Sequence, residues 1–139
     1  MPIAYLTRRE RFSAAHRLFS PELSESENFD VYGNCSHPNW HGHNYELFVT
    51  VKGEVNPKTG YVLNLKALSN IIRDKVIEKI DHRNINVDVE FMQGLIPTTE
   101  NLVIAIWECL QADVEGLGAT LHKIKLQETE NNFVEYMGE

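Results

Sequence analysis

"HGHNYELFVTVK", residues 41 to 52, alternates along its length. His41, His43, Tyr45, Leu47, Val49 and Val51 share one parity, while Asn44, Glu46, Thr50 and Lys52 take most of the other. Side chains two positions apart on a strand point to the same side, so this is a half-buried strand with one apolar face. The same period presents two imidazoles at its start, and Gly42 removes the side chain between them. One stretch therefore sets the fold class and marks a candidate site.

Upstream, residues 3 to 16 read as a first strand ending in "RFSAAH". "SPELSESENFDVYGNC" follows, acidic and poorly periodic, and reads as a loop. Downstream, "GEVNPKTG" is a turn punctuated by Pro57 and Gly60. Asn64 stands where a helix N-cap belongs, and Leu65, Leu68, Ile72, Val76 and Ile80 keep helical spacing as far as "DHRN". A second helix starts after "IPTTEN", with Thr98 as cap, Glu100 favourable in the first turn, and Leu102, Ile106 and Leu110 as its stripe. "TLHKIKLQE" alternates again, with His122, Ile124, Leu126 and Glu128 on one parity, and "FVEYM" is a last short strand after "TENN". The order ββααββ predicts a single α+β domain over residues 1–139, an antiparallel four-stranded sheet with two helices on one face. Such a sheet has two open edges, which predicts association into a larger closed sheet.

Composition narrows the function classes. The 139 residues carry 13 basic against 20 acidic side chains, a net charge of −7, which argues against a nucleic-acid or anionic-membrane footprint. An anionic substrate needs a local basic patch, and "RRER" (Arg8 to Arg11) is the only dense one. Cys35 and Cys109 do not form a disulfide framework, and Cys109, in the apolar run "AIWECL", reads as core packing. No run approaches membrane-spanning length and no apolar leader core is present, so the expected location is the cytoplasm.

His16 closes the first strand and reaches His41 and His43 if strands one and two pair antiparallel. Three neutral imidazoles with one open position is the ligand set of a catalytic zinc. The alternative is half-buried, hydrogen-bonded histidines at a strand end, which is how His37 and His122 are read. Cys35, in the loop before His41, is a base or nucleophile if a cation lowers its pKa, or else a fourth ligand closing a structural zinc site. Asp81-His82 forms a carboxylate–imidazole pair of the kind used in acid/base work, though the dipeptide is common. Glu128 continues an apolar parity, where it either meets a donor edge such as that of an amino-pyrimidine ring or faces water at the strand end.

The joint occurrence of these signals resembles the 6-pyruvoyl-tetrahydropterin synthase family over nearly the whole chain. It is carried by "FSAAHRL" (12 to 18), "YGNC" (32 to 35), "NWHGHNY" (39 to 45), "GEVNPKTGYVLNL" (53 to 65), "IDHRNIN" (80 to 86), "TTEN" (98 to 101) and "ETENN" (128 to 132). The resemblance implies Zn2+ on His16, His41 and His43, Cys35 as proton-abstracting thiolate, and Asp81 with His82 as acid/base partner. It implies Glu128 as pterin anchor and member of the relay, and Thr99 as a further pterin contact. It also implies a tunnelling fold, three subunits closing a barrel and two rings stacking as a homohexamer, a dimer of trimers with intersubunit sites. The implied activity converts 7,8-dihydroneopterin triphosphate to 6-pyruvoyl-tetrahydropterin with loss of triphosphate. A second branch, of queuosine biosynthesis, makes the 6-carboxy compound and releases acetaldehyde. Five residues separate Cys35 from His41, a long insert that resembles the pyruvoyl branch. Trp40 departs from the family pattern, standing where a small residue, often glycine, precedes H-G-H, and Ser36-His37 replaces a more usual Asn pair. A rival of another class is a non-catalytic binding module stabilised by a closed zinc site.

Overall fold

The computed structural model describes residues Met1–Glu139. The long strands are β1 (Ile3–His16), β2 (His41–Glu54), β4 (Thr120–Thr129) and β5 (Asn132–Tyr136), with a two-residue strand β3 (Arg83–Asn84). The helices are α1 (Glu25–Tyr32), α2 (Leu65–Ile72), α3 (Glu78–Ile80), α4 (Ile85–Asp88) and α5 (Thr99–Gly116). A π-helical stretch, Arg73–Ile77, joins α2 to α3 without a break. Asn64 caps α2 by accepting from the Lys66 and Ala67 amides, and Thr98 caps α5 by accepting from Asn101 N–H. Each cap satisfies donors that the first helical turn leaves without partners.

The sheet has five strands in the order β3-β1-β2-β4-β5, not the four expected. The extra one, β3, runs parallel to the end of β1, pairing Ala14 with Arg83 and Ala15 with Asn84. Two polar residues in "DHRN" are too short to show a period. The pairing is tertiary in origin, since His82 N–H donates to Ser13 C=O at 2.6 Å and brings the segment onto the β1 edge. The other pairings are antiparallel, and β1 with β2 runs unbroken from Ile3 opposite Glu54 to His16 opposite His41. The sheet does not close on itself within the chain. The outer side of β1 is paired only at Ala14 and Ala15.

The core lies between one face of the sheet and the helices. Leu47, Val49 and Val51 of β2 and Ile124 and Leu126 of β4 meet Leu68, Ile72, Val76 and Ile80 from one helix and Leu102, Ile106 and Leu110 from α5, all fully buried. Burying each such side chain contributes roughly 1.5–3 kcal/mol. Glu10 also faces inward, and its buried carboxylate is held by Arg73 at 2.7 Å and Arg8 at 3.0 Å. A charge taken out of water needs such partners.

Two local expectations change. The acidic segment read as a loop contains α1, which starts on a reciprocal capping box of Ser24 and Glu27. Its apolar Phe29 and Val31 are exposed, so no amphipathic stripe betrays it. In β4 a register break between Thr50 and Val51 of β2 takes His122 off the parity of Ile124, and Leu121 is buried instead. His122 packs edge-on against Tyr5 with centroids 4.7 Å apart.

Candidate active site

The unbroken β1/β2 register decides the site. It sets His16 directly opposite His41, and period two adds His43 on the same side. The three imidazoles offer ligand nitrogens that all lie within 4.8 Å of one another. His16 Nε2 is 3.1 Å from His41 Nε2. Its other nitrogen, Nδ1, is 2.9 Å from the Pro97 carbonyl, which accepts its proton and leaves Nε2 with a free lone pair. Tyr45, next on the same parity, places its hydroxyl 3.4 Å from the same Nδ1 and stacks on Phe12 at 4.8 Å between centroids.

Electrostatics favour neutral rings at His16 and His41. Burial lowers the His16 pKa below its ordinary value, against the opposing pull of the Pro97 carbonyl. Burial and then His43 lower that of His41. His43 Nε2 is buried with no hydrogen-bond partner at all. Buried polar atoms are normally paired. An orphaned ring nitrogen beside two imidazoles whose pKa values burial lowers, one with its tautomer set by the Pro97 carbonyl, fits a metal ion that takes nitrogen donors.

Glu128 and Thr99 come to the same place. Thr99, buried at the first position of α5, donates its hydroxyl to Glu128 Oε2 at 2.8 Å. The Glu128 carboxylate lies 4.0 Å from Nε2 of both His16 and His43. Beside it opens a cleft of ≈ 600 Å³, lined among others by Thr98, Thr99, Glu100, Glu128, Asn131 and Tyr32.

Cys35 sits half-buried on a 3₁₀ turn, Gly33–Ser36. Gly33 starts the turn at φ +59°, a conformation that costs glycine little. The turn is clasped to the chain just after His16. Leu18 N–H donates to the Cys35 carbonyl at 2.8 Å, and Arg17 Nε donates to the Ser36 carbonyl at 2.7 Å. Burial, and then the charge of Glu128, push the thiol up from its usual range, so the polypeptide alone does not supply the lowered pKa expected for a base. Its sulfur is not among the converging ligand atoms.

Asp81 and His82 come just before β3, where His82 N–H meets Ser13 C=O of β1. Asp81 accepts Ser13 N–H at 2.9 Å and holds His82 Nδ1 at 3.0 Å, and these bonds, that to Ser13 first, keep its carboxyl below the usual range. His82 has φ +60° and an exposed side chain. Around it is a cleft of ≈ 510 Å³ whose lining includes Ser13, Ala15, Gly42 and Asn44 and also His43 of the histidine cluster. No hydrogen bond or ion pair within the chain joins this pair to Cys35 or the histidine cluster. The arginines of the "RRER" patch are each paired with a carboxylate, Arg8 with Glu10 and Arg9 and Arg11 with Glu46. His37 is exposed, its Nδ1 accepting Asn39 N–H at 3.1 Å. Cys109 packs against the core as expected. Sequence reasoning missed Pro97 and Tyr45. The parity H-x-H-x-Y was the available signal for Tyr45, and nothing local marks a carbonyl. Trp40 adopts φ +64°, a conformation uncommon for a bulky residue.

Fold and site define an α+β domain whose first two strands bring three imidazoles together as a metal-capable centre beside a carboxylate-bearing cleft. The family model described as 6-pyruvoyl tetrahydropterin synthase matches residues 5–139. The chain is 47% identical over 134 residues to the Dictyostelium discoideum 6-pyruvoyl tetrahydrobiopterin synthase, covering 96% of each. It is 45% identical over 136 residues to the Homo sapiens protein of the same name, covering 98% of this chain and 92% of that one. The solved structure of Caenorhabditis elegans 6-pyruvoyl tetrahydropterin synthase superimposes with a TM-score of 0.93 at 40% identity, covering 100% of this chain and 98% of the other. The chain belongs to the 6-pyruvoyl tetrahydropterin synthase family. None of its helices is long and apolar enough to cross a membrane.

Proposed function

We propose that this chain is a zinc-dependent lyase that converts 7,8-dihydroneopterin triphosphate to 6-pyruvoyl-tetrahydropterin with elimination of triphosphate. The observation that carries the reading is the set of convergent imidazoles with an orphaned His43 Nε2, beside the Thr99–Glu128 pair, in a chain of this family. His16, His41 and His43 would hold the zinc, which when bound polarises side-chain hydroxyls of the substrate and acidifies the neighbouring C–H.

The protein's own groups then divide the work. Glu128 accepts the N–H edge of the amino-pyrimidine ring, and Thr99 holds the carboxylate in place. The Cys35 thiolate removes the proton. Glu128 is one cause of that thiol's raised pKa, so hydrogen bonds from the ring to Glu128 weaken what opposes ionisation. Asp81 keeps its proton partner on His82 Nδ1 and leaves Nε2 to return a proton. No hydrogen bond or ion pair joins this pair to Cys35 within its own chain, and the reading assigns it to the neighbouring subunit of a homohexamer, a dimer of trimers whose open sheet edges join into barrels. A closed structural site with Cys35 as fourth ligand is disfavoured, since the sulfur stands apart from the converging nitrogens. The reading places the reaction in the cytoplasm as a step of tetrahydrobiopterin biosynthesis, and the family supports the pathway.

The test is incubation of zinc-loaded protein with 7,8-dihydroneopterin triphosphate, assaying inorganic triphosphate and acetaldehyde together. Triphosphate without acetaldehyde is expected. Stoichiometric acetaldehyde would move the chain to the 6-carboxy branch, and absence of triphosphate release would overturn the lyase reading.

A further inference from the structure

Arg17 lies one residue past the last pair of the β1/β2 ladder, His16 opposite His41. No strand pairs with it there, yet its peptide groups find partners. Arg17 N–H donates to Asn86 Oδ1 at 2.9 Å, and Asn86 Nδ2 donates back to the Arg17 carbonyl at 2.8 Å. One side-chain amide thus does for Arg17 what a neighbouring strand does within a ladder. The two residues are 69 positions apart.

What Asn86 holds is the anchor of the Cys35 turn. Arg17 Nε reaches the Ser36 carbonyl at 2.7 Å, and Leu18 N–H reaches that of Cys35 at 2.8 Å. The Arg17 guanidinium also lies 4.3 Å over the Phe19 ring, a cation–π contact that holds the side chain in place. Asn86 is itself secured. Its N–H donates to the Asn84 cap of α4 at 3.0 Å, and the preceding Ile85 is 1% exposed. Upstream, β3 pairs with Ala14 and Ala15, and Asp81 and His82 both bond Ser13. Segment 81–88 is therefore tied to the end of β1 on its own account, and Asn86 adds a last tie to the residue that carries the turn. Both bonds from Asn86 to Arg17 are exposed. Water replaces such bonds readily, so they add little to stability and mainly set position.

We propose that Asn86 is a positioning residue for the Cys35 thiol, acting through Arg17 and Leu18. It lines neither the cleft beside Glu128 nor that around His82, so it acts on geometry alone. This deepens the proposed function and rests on its assignment of Cys35 as the base. A base displaced by about 1 Å loses roughly 10²-fold in rate, because proton transfer needs a short and aligned approach. Recognition of the ring, which the proposed function gives to Glu128 and Thr99, does not pass through this clamp. Asn86 therefore bears on kcat and not on KM.

The experiment compares wild type, Asn86→Ala and Asn86→Asp as zinc-loaded proteins with 7,8-dihydroneopterin triphosphate. Alkylation of Cys35 and Cys109 by iodoacetamide is followed in parallel by mass spectrometry. Asn86→Ala should lower kcat roughly 10- to 100-fold with KM unchanged. Alkylation of Cys35 should quicken, while that of Cys109, packed on the core, should not. Asn86→Asp keeps an acceptor for Arg17 N–H and loses the donor to its carbonyl, so its kcat should fall between the other two. Unchanged kcat, or unchanged Cys35 alkylation, would overturn the proposal. So would a raised KM or faster labelling of both cysteines, the signs of a general loss of structure. Wild type that released no triphosphate would overturn the lyase reading instead, and the alkylation rates would then decide the positioning of the turn by themselves.

Discussion

Asn28→Ala tests what organises the segment that leads into the Cys35 turn. Asn28 is 1% exposed on α1, where its Oδ1 accepts Ser20 N–H at 2.7 Å. Its Nδ2 faces three carbonyls, those of Ser20 at 3.0 Å, Leu23 at 3.2 Å and Ser24 at 2.9 Å. An amide has two N–H hydrogens, so at most three full hydrogen bonds are lost. At about 1 kcal/mol net for each, with buried carbonyls left unpaired, the variant should lose roughly 3 kcal/mol. Urea unfolding reads this as a lower midpoint with an unchanged slope if the damage is confined to stability. The segment from Ser20 to Tyr32 leads straight into Gly33–Ser36, so loosening it should also speed thiol labelling of Cys35 relative to Cys109, which stays packed on the core. A loss below about 1 kcal/mol, with unchanged labelling, would refute the claim that Asn28 organises this loop.

Cys35→Ala should keep both metal and fold while lowering turnover roughly 10²- to 10⁴-fold, the usual worth of a general base. His41→Ala should lose the metal instead, and a Cys35→Ala protein found metal-free by elemental analysis would revive the closed-site reading. The pH dependence of the metal-free protein follows from His16 and His41, whose folded pKa values lie below the ordinary 6.5. As pH falls below that value the unfolded chain takes up protons the folded one refuses, so stability falls and then levels once the folded rings also protonate. Urea midpoints taken from about pH 8 to about pH 5 should therefore decrease, and a flat or rising series would contradict the burial argument.

Much of the fold was legible because β1, β2 and the two long helices each present a sustained period to one core. The three histidines were legible for the same reason, as parity on β2 and an antiparallel partner suffice to bring them together. What escaped was tertiary. β3 is two polar residues placed by a bond from His82 to Ser13, and α1 carries a capping box without an apolar stripe. The His122 bulge broke a parity that the sequence shows as regular. The pairing of Thr99 with Glu128 joins residues 29 positions apart and reaches the site from helix and strand ends that no local pattern links. The absence of any bond between Asp81-His82 and Cys35 is likewise set by three-dimensional placement.

The proposed function stands or falls on whether each catalytic centre combines the histidine cluster of one subunit with the Asp81-His82 pair of the next. Cys35→Ala and His82→Ala proteins, each inactive alone, would be mixed in equal amounts, dissociated and reassembled, and their triphosphate release measured. Random assembly gives an intact Cys35 beside an intact His82 at about one site in four, so the mixture should recover roughly a quarter of wild-type turnover. Subunits shown by mass spectrometry to have exchanged, yet giving no activity above that of the separate variants, would contradict it.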